Sequence, residues 1–342
     1  MSSPPNASSP PKACLFGLGG PTLTAEERAF FAEADPLGFI LFARNIEDTA
    51  QVRALTAALR EAVGRADAPV LVDQEGGRVA RLKPPHWHAL PSAARIAALG
   101  GAAAAEAAWL AGRLIAHDCT SAGIDVACAP VLDVLAPDVA TQVIGDRAFG
   151  DAPAIVTALG RRMADGLLAG GVLPVAKHMP GHGRAKVDSH HALPTVSASL
   201  GELQAVDFAP FRALNDLPLA MTAHIDFTAL DPGVPATCSA RIVGEVIRGQ
   251  IGFDGFLLSD DLSMAALEGP LDERAARSLV AGCDAVLHCN GDMAEMQRVA
   301  GAAGPLSEAA AARWHRIERP AAAAFDPAAA AARLADLMAG LA

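Results

Sequence analysis

The sequence predicts an α/β fold: a single closed (β/α)8 barrel with Ala-rich C-terminal helices and no second domain. Three observations carry this. Eight short apolar runs alternate with helical patterns and loops along the 342 residues, which implies parallel strands joined by right-handed crossovers. The polar residues of chemical interest stand at the C-terminal ends of the third to eighth runs. In a closed barrel all such ends ring one mouth, whereas in a doubly wound open sheet the outer ones would lie too far apart to cooperate. No composition shift marks a domain boundary and no sequence repeat is evident, so residues 13–342 read as one barrel unit that includes the C-terminal helical cover.

The elements follow in order. Residues 1–12 are polar and Pro/Ser-rich, as expected of a disordered tail. They lack the charged start and apolar core of a secretion signal, so the expected location is the cytoplasm. The eight runs are ACLFGL (13–18), GFILFA (38–43), PVLVDQ (69–74), DVACAP (125–130), LPVAKH (173–178), PLAMTA (218–223), GFLLSD (255–260) and DAVLHC (284–289). Thr24 and Glu27 form a capping-box pattern ahead of a helix to about Ala34, and Ser199 and Glu202 form another. Residues 48–63 read as an amphipathic helix ending at Gly64. Ala102–Cys119 and Ala152–Ala169 are long and Ala-rich. Beyond Leu287 the chain is expected to be Ala-rich helix, broken once at Pro320. Gly17, Gly19 and Gly20 match the dinucleotide-binding glycine pattern poorly and read as a barrel turn.

Composition excludes some functions. With 27 basic and 38 acidic residues the formal charge is 27 − 38 = −11, which argues against nucleic acid and anionic membrane surfaces as partners. There is no apolar run of the ~18 residues that a membrane span requires. The six cysteines form no CxxC pair, and all read as reduced thiols without a metal or disulfide role.

The chemistry concentrates in 173–194, LPVAKHMPGHGRAKVDSHHALP. A buried strand runs into a loop holding Pro180, Gly181 and Gly183, which strand and helix interiors exclude. Lys177, His178, His182, Asp188, His190 and His191 are packed into it, and five of the chain's ten histidines lie between His178 and His224. His178, His182 and His190 raise the question of a metal site. Pro180 and Gly181 forbid the helix that HExxH-type spacing needs, so no metal is expected. At the seventh strand end stand Asp260 and Asp261. Successive strand residues point to opposite sides, so at most one should face the mouth, while an N-cap role accounts for Asp261 or Ser259. Asp73 ends the third strand ahead of a Gly76-Gly77 turn. Taken alone, that segment reads equally well as an ordinary βα turn with a surface ion pair. His224 and Asn290, after the sixth and eighth strands, are further candidates. Trp87 is as readily a core filler as a platform on which a ligand could stack.

KHxPGHG followed by DSH resembles the signature of family 3 glycoside hydrolases, and within them the short bacterial β-N-acetylglucosaminidases of cell-wall recycling (the NagZ type). Met179 stands where that group usually has Phe. DQEGGRVxR, APVLDV and IGxR add to the resemblance, which runs from about Cys14 to Asn290. It implies the barrel, with no cofactor. It makes Asp260, in Ser-Asp-Asp, the nucleophile and His190 the acid/base on a mobile loop. Imidazole titrates near neutral pH, and Asp188 would fix its tautomer. The sugar ligands implied are Asp73, Arg81, Arg147, Lys177 and His178. Asp133 reads as structural and His182 as holding the loop's shape.

The activity implied is that of a retaining exo-β-N-acetylglucosaminidase. It would remove terminal N-acetylglucosamine from peptidoglycan fragments, particularly those linked to 1,6-anhydro-N-acetylmuramic acid. The enzyme would act as a monomer, with the small-molecule sugar as its partner. The alternatives are a β-glucosidase of the same family, a substrate-assisted mechanism, a metal-dependent hydrolase on the same barrel and a sugar-binding protein without turnover.

Overall fold

The computed structural model describes residues 10–137, 143–319 and 321–341. Eight strands form the barrel: β1 (Lys12–Phe16), β2 (Pro36–Leu41), β3 (Val70–Val72), β4 (Val126–Ala127), β5 (Leu173–Met179), β6 (Leu219–Thr222), β7 (Phe256–Asp261) and β8 (Ala285–His288). Each pairs in parallel with the next. β8 closes on β1 with Phe16 opposite His288. All eight coincide with the apolar runs read from the sequence.

The pleat divides the strands between two cores. Leu15, Ile40, Leu71, Val126, Val175, Met221, Leu258 and Leu287 share the barrel interior. Their neighbours Phe16, Phe39, Val72, Ala127, Ala176, Ala220, Leu257 and Val286 pack outward beneath the helices. Period-two alternation with both faces apolar is why these runs read as continuously hydrophobic.

The helical signals are also used. Thr24 and Glu27 make the reciprocal capping box that opens Ala25–Ala34. The Asp48 side chain accepts from Gln51 N to start Thr49–Ala62. Gly101–Ser121 and Pro153–Ala169 match the long Ala-rich segments. No helix among the described residues is long and apolar enough to cross a membrane.

The C-terminal region departs from expectation. Instead of one break at Pro320, which lies outside the described residues, there are three helices: Met293–Ala302, Glu308–His315 and Pro327–Ala339. The first break falls at Gly304-Pro305, where a barrel strand captures the chain. Ala13 N donates to Gly304 O, Leu306 N donates to Pro11 O, and Lys12 bridges Pro305. Lys12, assigned to the tail from sequence, therefore begins β1, while residues 1–9 of that tail lie outside the described residues. Trp314 then packs edge-on to Phe256 at 5.1 Å and closes the N-terminal end of the barrel. The opposite end stays open, and the polar strand ends converge there.

Candidate active site

At the C-terminal mouth of the barrel lies a cavity of about 190 Å³. It is lined by Asp73, Arg81, Arg147, Lys177, His178, His182, Asp188, His190, Asp260 and Asp261. Eight of the ten site residues expected from the sequence are brought together there. The other two, His224 and Asn290, are not in its wall.

One side of the cavity is a chain of alternating charges. Asp73 follows β3, and Lys177 comes from β5. The Lys177 ammonium, only 2% exposed, lies 2.8 Å from Asp73 Oδ1 and 2.7 Å from Glu75 Oε1. Arg147, from the turn Gly145–Arg147, gives Nε to Glu75 Oε2 and Nη2 to Glu75 Oε1, each at 2.8 Å. Arg81 reaches Asp73 at 3.3 Å. Burial alone would raise the Asp73 and Glu75 carboxyls, but Lys177 and Arg147 hold both below their ordinary range, and Arg81 adds to the effect on Asp73. Burial would lower the Lys177 ammonium, but Asp73 and Glu75 push it up instead. Asp73, Glu75, Lys177 and Arg147 therefore stay charged, each held by a partner of opposite sign. Gly76, with φ of +95°, lets the hairpin after β3 turn against Pro91 O, only 2.4 Å from where a Cβ would stand.

Asp133 is fully buried and organises the histidines. It accepts from His178 N at 3.1 Å, from His178 Nδ1 at 2.7 Å and from His182 N at 2.7 Å. The ring of His178 is thereby oriented with Nε2 3.4 Å from Arg147 Nη2. His182 packs edge-on to it at 5.4 Å. Burial and His178 lower the His182 imidazole to about 4.

Asp260 and Asp261 correct a sequence expectation, because both line the cavity. The β7–β8 ladder shifts register between Leu258 and Asp261, which breaks the alternation. Their carboxylates are used differently. That of Asp261 accepts from Ser263 N and Oγ and from Cys289 N, holding the turn after β7. That of Asp260 accepts only from Asp261 N among the described residues, at 2.8 Å, and otherwise faces the cavity. Burial would raise the Asp260 carboxyl, but His224 and His178 hold it low.

His224 is buried behind these acids. Its Nε2 meets the Asp261 carbonyl at 3.0 Å, and its Nδ1 meets Thr237 Oγ1 at 2.7 Å. A carbonyl only accepts, so the proton sits on Nε2 and His224 braces the strand end. Asn290 is exposed and spent locally, donating to Glu295 and accepting from Asp292 N. Trp87 is buried in the outer core, away from the cavity.

The loop after β5 carries the Asp188–His190 pair over the mouth. Asp188 Oδ1 accepts from His190 N at 2.9 Å and lies 2.8 Å from His190 Nδ1. The side chain of His190 is 69% exposed although it lines the cavity, so it faces both substrate space and solvent. Burial would raise the Asp188 carboxyl, but the two bonds from His190 lower it. Ser189 O accepts from Ala266 N at 3.0 Å and docks the loop on the segment after β7. Arg184 Nε donates to Asp207 at 2.8 Å and fixes the loop's start.

Glu75 and Ser189 belong to the candidate site or its support but were not assigned there from sequence, whereas His182 stands in the loop whose shape it was expected to hold. Only the two cationic partners of Glu75, distant in the chain, mark it. A low-lying carboxylate facing a carboxylate-oriented imidazole across a sugar-sized polar cavity suits glycosidic bond cleavage.

The profile of the glycosyl hydrolase family 3 N-terminal domain matches residues 20–319. The beta-hexosaminidase of Alkalilimnicola ehrlichii is 42% identical over 283 residues, covering 81% of this chain and 80% of that protein. The beta-hexosaminidase of Pseudomonas aeruginosa is 41% identical over 279 residues, covering 81% and 82%. Among solved structures, NagZ from Neisseria gonorrhoeae in complex with N-trifluoroacetyl-D-glucosamine superposes with a TM-score of 0.87 at 34% identity, covering 96% of this chain and 99% of that chain.

Proposed function

The chain belongs to glycosyl hydrolase family 3 and is a β-N-acetylhexosaminidase, and from that premise we propose that it is a retaining exo-β-N-acetylglucosaminidase acting on peptidoglycan fragments. The observation that carries the reading is the Asp188–His190 pair at the mouth of the cavity that Asp260 faces.

Asp260 attacks the anomeric carbon as the bond to the aglycone oxygen breaks. His190, protonated on Nε2, gives its proton to that oxygen, and a glycosyl ester forms on Asp260. His190, now neutral, takes a proton from water. The water oxygen bonds to the anomeric carbon and the Asp260 carboxylate departs. Two displacements restore the original configuration. Asp188 keeps a proton on Nδ1 throughout and stabilises the imidazolium. Asp73, Arg81, Arg147, Lys177 and His178 bind the hydroxyls of the terminal sugar.

N-acetylglucosamine is the sugar proposed at this position, and the Neisseria relative's complex with an N-acylated glucosamine supports it. The aglycone proposed is the 1,6-anhydro-N-acetylmuramic acid unit of muropeptides. The site is assembled within one chain, which supports a monomer, and the place proposed for it is the cytoplasm. Substrate-assisted attack by the acetamido oxygen is less well supported, because the second acid it would use, Asp261, is committed to Ser263 and Cys289.

The test is hydrolysis of a fluorogenic N-acetyl-β-glucosaminide beside the matching β-glucoside. Turnover of the N-acetyl substrate alone, lost in Asp260→Asn, supports both sugar and nucleophile. Preference for the glucoside overturns the sugar assignment. Turnover of neither overturns the chemistry.

A further inference from the structure

We propose that Glu75 is a positioning residue for substrate binding: from behind the sugar-facing layer it bridges Lys177 and Arg147 and balances the charge they bring into the cavity. The inference rests on the reading of Lys177 and Arg147 as sugar contacts.

Glu75 sits in the hairpin formed by Gln74–Gly76 and Val79–Ala80. The Gln74 side chain holds that hairpin shut, accepting from Arg81 N and Leu82 N and donating to Leu82 O. Glu75 is nearly buried, at 5% exposure, and is not part of the cavity wall. Its two oxygens nevertheless make three contacts of 2.7–2.8 Å with the two cations that are. Arg147 spends its Nε–Nη2 edge on Glu75, so among the described residues its Nη1 is the nitrogen left free for the cavity. Lys177 is pulled between Asp73 and Glu75, which fixes a side chain that otherwise has four rotatable bonds. Two carboxylates, Asp73 and Glu75, face three cations, Lys177, Arg147 and Arg81. The one positive charge in excess is offset by Asp260, which faces the same cavity, and this balance suits a neutral sugar and gives an anion little net attraction. Burial would raise the Glu75 carboxyl, but Lys177 and Arg147 hold it low, so this balance persists at neutral pH.

Glu75→Gln keeps the shape and removes the charge. It should raise KM for the N-acetyl-β-glucosaminide roughly tenfold or more, with kcat within about threefold of wild type. It should also make inorganic phosphate a competitive inhibitor at millimolar concentration, with no such inhibition expected of wild type. Glu75→Asp keeps the charge but is one methylene too short to hold both cations. It should raise KM without phosphate sensitivity, and it decides the question if Glu75→Gln does not fold. A merely structural Glu75 would instead lower the unfolding midpoint and move kcat and KM together, with no phosphate inhibition in either variant, and that result overturns the inference. Lys177→Met separates the two readings. If it raises KM while Glu75→Gln and Glu75→Asp do not, the inference about Glu75 fails alone. If it leaves KM unchanged, the sugar-contact reading fails and takes the inference with it.

Discussion

One carboxylate oxygen, Asp188 Oδ1, holds His190 twice, through its backbone N–H at 2.9 Å and its ring Nδ1 at 2.8 Å. The backbone bond fixes where the residue stands, and the ring bond fixes which nitrogen carries the proton. An ionised carboxylate only accepts, so Nδ1 is the protonated nitrogen, and Nε2 is left for the proton exchange that the proposed mechanism assigns to it.

Asp188→Asn should therefore lower kcat by about 10²- to 10⁴-fold with little change in KM. The amide can offer a proton where the ring needs an acceptor, which favours the wrong tautomer. The loss should be far larger for an alkyl aglycone, which needs protonation to leave, than for a nitrophenolate, which does not. Steady-state kinetics on the two substrates reads the difference. Equal losses on both would mean that His190 is not the proton donor.

Asp260 and Asp261 are adjacent in sequence and both line the cavity, but their carboxylates have different work. Asp260→Asn should cost at least about 10³-fold in kcat, and a fluorinated glycosyl inactivator should label Asp260 in wild type. Asp261→Asn should chiefly lower the unfolding midpoint, because Ser263 and Cys289 lose an ionised acceptor. Peptide mapping after inactivation distinguishes them. A label on Asp261, or clean turnover with no label, removes Asp260 from the role.

Gly183 ties the histidine loop to the loop after β4. A Cβ there would stand 1.8 Å from Val134 O, and Gly183 O accepts from Ala136 N at 3.1 Å. Gly183→Ala must push the two loops apart, next to the His182 N–Asp133 bond. The expected cost is about 2 kcal/mol or more in stability, by urea unfolding, together with lost kcat/KM. An unchanged unfolding midpoint would show that the backbone moves freely here.

The barrel was legible because its strands obey a local rule. Each apolar run is a buried strand, those from the third to the eighth have polar residues at or just after their C-terminal ends, and eight such strands can close. Site residues followed where a strand end or a short motif carried them, as with Asp73, Lys177 and the Asp188–His190 pair. What local pattern could not show was irregular or distant. The register shift near Asp261 breaks the parity that was expected to turn one acid away. The break at Gly304-Pro305 depends on hydrogen bonds to residues near the start of the chain. Glu75 gains its meaning only from partners 72 and 102 positions away. Asn290 sits at a strand end as expected, but its side chain prefers the adjacent acid Glu295.

The buried histidines give acid lability a defined window. Burial lowers His182 to about 4 and also lowers His224 and His288. In the unfolded chain a histidine binds its proton near pH 6.5. Between pH 6.5 and about 4 the unfolded state therefore holds more protons at His182, with His224 and His288 acting in the same sense below pH 6.5, and stability falls as the pH drops. Each such proton contributes at most about 1.4 kcal/mol per pH unit. The depressed carboxyls of Asp73, Glu75, Asp133 and Asp260 act lower down: their contribution is complete above the ordinary carboxylate range and is lost beneath it. The raised carboxyls of Asp118 and Asp207 work in the opposite sense, so the comparison must be between variant and wild type. His182→Asn should flatten the slope of unfolding free energy against pH between 4.5 and 6.5 by up to one proton, with no change above pH 7.5. Urea unfolding at four pH values across that range measures it. An unaltered slope would mean that His182 is already protonated in the folded protein, and that Asp133 and Asp260 outweigh its burial.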